Sequence, residues 1–218
     1  MTTLKLVAIL FEFFALLTGT FYLKQIRARF LYLYAFVILG LITEMSMPIM
    51  SKVYGVENSH WLSHFYFPLE FLLLALVYLQ ELRPLNKKKW INVIVAIIML
   101  FSIVNPIFIQ EFTKYSEVRG FTSIVLVMFS ILYYYQVMAD AKITKLANEP
   151  MIWINTAVLL YFASGLFYNM LFTYILEYSK DFANLSVTYN TAFGVSFYSL
   201  ITIGFWKAAK QQKAIAGG

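Results

Sequence analysis

Glu12, Glu44 and Glu70 each interrupt a long apolar run of the sequence. A carboxylate at bilayer depth costs on the order of 3 kcal/mol on insertion scales, so such a residue is expected to bind, to relay protons or to pair. In helical geometry Glu12 lies about 10 Å beyond Lys5, Glu44 about 12 Å before Lys52 and Glu70 about 15 Å beyond His60. All three are expected in one half of the membrane or at its midplane. Predicted helix 1 sets Ala8, Glu12, Ala15 and Gly19 on one stripe, and predicted helix 2 does the same with Gly40, Glu44 and Pro48. Small residues mark helix–helix seams, which turns Glu12 and Glu44 towards the bundle interior and within reach of one another or of His64.

Prolines and histidines accompany these acids. Pro48, Pro68 and Pro106 each lack a helical N–H and free the carbonyl four residues earlier, on Glu44, His64 and Ser102. Interrupted helices that present carbonyls beside carboxylates are how mid-membrane ligand and transport sites are built. Proline is also commoner in membrane helices generally, so simple kinks account for the same residues. His60 and His64 are four residues apart, which puts both on one helix face, where with Glu57 or Glu44 they could share a metal. The favoured reading needs no metal: His64 hydrogen-bonds Glu12 or Glu44, and Glu44 and His64 titrate as a coupled pair.

On predicted helices 6 and 7, Asn155, Tyr161, Ser164, Tyr168, Ser196, Tyr198 and Ser199 serve as interhelical hydrogen-bond glue, at about 0.6 kcal/mol apiece. Asn169 and Asn190 differ because they fall at the same end of the bundle as the carboxylates. The candidate ligand-binding set is therefore Glu12, Glu44, His64, Glu70, Asn169 and Asn190, with no catalytic residue, no resident metal and no cofactor.

Missing signals narrow the chemistry. The absence of cysteine excludes disulfides, thiolate metal sites and cysteine nucleophiles. Lys207 follows Trp206 at the end of helix 7, so a retinal Schiff base has no mid-helix anchor. No Gly-x-Ser-x-Gly, His-Glu-x-x-His, phosphate-loop, voltage-sensor or pore-loop pattern is present.

The elements that must position these groups are membrane helices. Of 218 residues, 61% are apolar and 13% charged, and mean hydropathy is +0.72; soluble domains carry about 25% charged residues. About 20 apolar residues cross the hydrocarbon core once. Seven stretches qualify, at about 5–23, 30–52, 60–80, 90–109, 120–139, 151–176 and 190–206. Seven spans use about 140 residues and leave short polar connections. The expectation is one all-α integral membrane domain over 1–218, a seven-transmembrane-helix bundle with no appended kinase, nucleotide-binding or DNA-binding domain. The first stretch reads as a retained helix, because Glu12 interrupts it and no Ala-x-Ala-like cleavage site follows.

Charge sets the orientation. Twelve basic residues, among them Arg83, Lys87, Lys88 and Lys89, follow helices 1, 3, 5 and 7; five, Lys5, Lys52, Lys114, Arg119 and Lys180, lie on the other side. The bias predicts an outer N-terminus and a cytoplasmic C-terminus. It also accounts for the net charge of +6, with anionic lipid headgroups as partners in place of nucleic acid. Trp61, Trp90, Trp153 and Trp206 each fall at a span end, where an indole sits best at headgroup level.

Three segments carry a resemblance: His60-Trp61-Leu62-Ser63-His64-Phe65-Tyr66-Phe67-Pro68-Leu69-Glu70-Phe71; Trp153-Ile154-Asn155 with Leu160-Tyr161-Phe162-Ala163-Ser164-Gly165; and Gly204-Phe205-Trp206-Lys207. Over most of its length the chain resembles an uncharacterised family of small seven-helix inner-membrane proteins of Bacteroidota. Those proteins are similar to the membrane sensor modules of histidine kinases. The resemblance implies a sensor-like module in a bacterial inner membrane and brings no catalytic residues with it.

Three functions compete. The first is a receptor-like binding module with an outward-facing polar pocket, signalling through a separate cytoplasmic or membrane protein. The second is a proton- or ion-coupled small-solute carrier, although seven spans do not divide into two equal inverted halves. The third is a membrane-embedded lipid-modifying enzyme, with Glu44 and His64 as acid and base but no nucleophile.

Overall fold

The computed structural model describes residues 3–26, 28–56, 58–82, 85–140 and 145–216. Within them the chain is helical and contains no strand. The helices are α1 (Thr3–Phe21), α2 (Ala28–Tyr54), α3 (Ser63–Glu81), α4 (Leu85–Val104), α5 (Val118–Asp140), α6 (Pro150–Tyr178) and α7 (Lys180–Ala216). Six of them are long and apolar enough to cross a membrane, and α6 has a described apolar stretch of Pro150–Leu166.

Successive helices run in alternating directions, so the described residues between α2 and α3 (55–56 and 58–59) and segment 110–117 gather at the N-terminal end of α1. Asn58 Nδ2 joins those two segments by donating to the Thr113 carbonyl at 2.7 Å. At the opposite end Lys207 Nζ donates to Asn148 Oδ1 at 3.2 Å, and Lys213 sits 5.8 Å above the Tyr22 ring. The packing order is a closed ring: α1 on α2, α2 on α3, α3 on α5, α5 on α6, α6 on α7, and α7 back on α1. Helix α4 stands outside the ring, packed chiefly on α3.

Large apolar side chains fill the ring, including the fully buried Phe30, Phe36, Phe71, Phe129, Phe162 and Phe205. Others of the same kind, such as Phe14, Ile42, Leu100, Ile103, Ile131 and Leu160, are exposed on the outer surface. The small-residue stripe of α1 faces inward as its spacing predicts: Glu12 and Ala15 are buried. A Cβ on Gly19 would stand 2.6 Å from the Tyr34 ring of α2 and 3.2 Å from the Phe205 ring of α7.

Two expectations about the helices need correction. Helices α2 and α3 continue through Pro48 and Pro68; each proline lies within two turns of a helix end, and the remaining ladder holds the backbone in register. Only Pro106 coincides with a change of helix, a wide π-helical turn over Asn105–Ile109 in which the Gln110 N–H donates to the Asn105 carbonyl at 2.8 Å. The second correction concerns α7, which begins at Lys180, with Ser179 the single residue between it and α6. An apolar window measures hydrocarbon thickness, not helix length. The polar stretch 180–189 contains neither Gly nor Pro to stop a helix.

Candidate functional site

The ring of six helices encloses a cavity of about 400 Å³ at the N-terminal end of α1, and every ring helix contributes to its wall. Of the residues singled out from the sequence, Glu12, Glu44, Glu70 and Asn190 border it, and His64 does not. Asn169 lies outside the residues whose side chains are described.

Glu12 is held where three helices meet. It is 1% exposed, and the Tyr198 hydroxyl of α7 donates to its Oε1 at 2.7 Å. Gly40 of α2 makes the room for this pair, since a Cβ there would lie 2.5 Å from Glu12 Oε1 and 3.0 Å from the Tyr198 oxygen. Tyr198, expected as generic glue, is thus the positioning partner of a cavity carboxylate.

Glu44 borders the same space from α2. Its Oε2 is buried and has no hydrogen-bond partner among the described residues. Lys5 and Glu12 of α1 border it as well, so Glu12 and Glu44 line one and the same cavity.

Glu70 differs, because a cation neutralises it. Arg119, the second residue of α5, forms a buried ion pair with Glu70 through Nη1. Its Nη2 donates to the Tyr161 hydroxyl at 3.1 Å, and its guanidinium lies 4.6 Å above the Phe67 ring. The Tyr66 hydroxyl adds a donor to Glu70 Oε1 at 3.3 Å. Counting Arg119 among the five basic residues of the outer side does not reveal this pairing. The available signal was that a buried acid demands a partner and that arginine suits buried, ring-stacked pairs better than Lys114.

The two histidines part company. His60 belongs to a short 3-10 turn over His60–Leu62 ahead of α3; it borders the cavity and meets Tyr115 edge to face. His64 is buried on another side, with Nε2–H donating to the Lys114 carbonyl at 2.9 Å and its ring beside Phe112. The expected pairing of His64 with Glu12 or Glu44 does not form, because the backbone of 110–117 claims the imidazole first. Nor, among the described residues, do three His, Asp or Glu side chains converge as a metal set; Glu57 lies outside the described residues. Gln110 braces segment 110–117, its Nε2 donating to the Tyr115 carbonyl at 2.8 Å and its Oε1 accepting from Asn105 Nδ2 at 3.1 Å.

Away from the cavity, Asn155 does act as interhelical glue. Ser130 Oγ, the Tyr78 hydroxyl and Asn155 Oδ1 form a buried chain with both links at 2.7 Å, and Asn155 Nδ2 donates to the Ser130 carbonyl at 3.2 Å. This closed set ties α3, α5 and α6 together. Ser164, Ser196 and Ser199 instead bond carbonyls of their own helices, the local back-bonding that short hydroxyl side chains favour.

No protein-family model matches the chain, and no curated protein or solved structure matches it either.

Proposed function

We propose that this chain spans a bacterial inner membrane seven times, with its N-terminus outside, and works as a receptor-like binding module for a small solute. The observation that carries this reading is the cavity inside an apolar ring, bordered by Glu12 and by Glu44 with an unpartnered buried oxygen. Ligand sites are concavities of about 300–1,000 Å³ with a few convergent polar groups in mostly apolar walls. Exposed apolar side chains around the ring support the membrane setting, since soluble surfaces rarely carry such continuous patches. The twelve-to-five split of basic residues supports an orientation with the cavity end outside. Occupancy would be passed to a separate signalling protein through movement of the ring helices, in keeping with the resemblance to membrane sensor modules. The carrier reading has less support, because α2 and α3 run unbroken past Pro48 and Pro68.

The lack of cysteine makes the test clean. Ser59→Cys and Thr191→Cys, both at the cavity, should react with a membrane-impermeant maleimide on intact cells, and Asn148→Cys only after lysis. Labelling of Asn148→Cys alone would overturn both the orientation and the outward opening.

A further inference from the structure

We infer that the occupant of the cavity is a small organic cation, a single ammonium group on an apolar and preferably aromatic body. The inference deepens the binding-module reading and rests on it. Three lining residues are acids, Glu12, Glu44 and Glu70, and two carry basic side chains, Lys5 and Arg119. Arg119 is taken by Glu70, which leaves Lys5 as the one further basic side chain in the lining, and the partner of Glu12 is a neutral hydroxyl. The wall therefore holds one more acidic side chain than basic ones.

The rest of the lining fits the same guest. Phe36, Tyr66, Tyr161, Phe197 and Tyr198 bring ring surface to the cavity, and aromatic faces attract ammonium groups as well as alkyl and aryl bodies. The site already treats one cation this way, since the Arg119 guanidinium lies over Phe67 at 4.6 Å and over Phe162 at 5.6 Å. A hard cation such as calcium or magnesium takes six or more oxygens, and among the described residues no three His, Asp or Glu side chains converge to hold a metal of any kind. An anion would have to compete with Glu70 for Arg119 while facing Glu12 and Glu44.

The test uses the full chain in lipid nanodiscs and three probes of similar shape: 2-phenylethylammonium, 2-phenylethanol and 3-phenylpropanoate. The ammonium probe should raise the unfolding temperature saturably, and the other two should not. Glu12→Gln and Glu44→Gln should each weaken the ammonium response at least tenfold. A response to the alcohol or carboxylate equal to that of the ammonium would overturn the inference, as would folded Gln variants that keep the wild-type response. If neither variant folds, the three-probe comparison on the wild type decides alone. External labelling of Ser59→Cys with no ammonium response would sink the ligand class and leave the binding-module reading standing; absence of external labelling would sink the latter.

Discussion

A Cβ added at Gly40 on α2 would collide with the Glu12 carboxylate on α1, at 2.5 Å from its Oε1. Gly40→Ala should therefore displace Glu12 from Tyr198. The atom that must move is the end of a flexible side chain, and the gain in helix propensity is about 1 kcal/mol. Stability should stay within about 1 kcal/mol of wild type, while the response to 2-phenylethylammonium falls. Unfolding curves with and without the probe read both effects; an undiminished response would show that the placement of Glu12 does not govern binding.

Removing either member of the Glu70–Arg119 pair leaves a buried charge uncompensated. Arg119→Met or Glu70→Gln should each cost about 3–5 kcal/mol, and the double variant that combines the two should recover much of that loss. Denaturation of the four proteins in detergent forms the cycle. A double variant as damaged as the sum of the singles would show that the two side chains act independently.

Tyr78→Phe deletes the hydroxyl between Ser130 and Asn155 and leaves their polar atoms buried without it. The expected loss is about 1–3 kcal/mol. Because none of the three residues borders the cavity, the probe response of the folded fraction should not change.

The histidines should separate by phenotype. His64→Ala removes a hydrogen bond to the Lys114 carbonyl, worth about 1 kcal/mol, and should lower stability while sparing probe affinity. His60→Ala should alter affinity with little effect on stability. Melting temperature and probe titration on the same two samples check the pair, and the reverse pattern would move the site to the His64 side.

What the sequence showed follows from periodicity and cost. The stripes Ala8–Glu12–Ala15–Gly19 and Gly40–Glu44 pointed both acids inward because small residues and buried charge seek the same helix face. The positions of His64 and Arg119 were out of reach because they depend on segment 110–117. That segment is shaped by a π-helical turn at Asn105–Ile109 and by the side chain of Gln110. Periodicity describes faces of helices; it does not say which backbone carbonyl will reach an imidazole fifty residues earlier. The early start of α7 escaped for a related reason, since hydropathy registers the thickness of the lipid and is silent about helix that continues past it.

In the orientation proposed above, the axis of the first helix crosses roughly 30 Å of hydrocarbon, and Glu12 lies well inside that helix, about 10 Å from Lys5. A guest that reaches it from outside has travelled about a third of the way through the membrane's electric field. For one positive charge that fraction is worth about 0.8 kcal/mol per 100 mV, or about a fourfold change in occupancy. An interior-negative potential draws the charge inward, so an energised cell would fill the cavity at lower solute concentration than a depolarised one. The same protein would then report two quantities at once, the abundance of its ligand outside and the electrical state of the membrane that holds it.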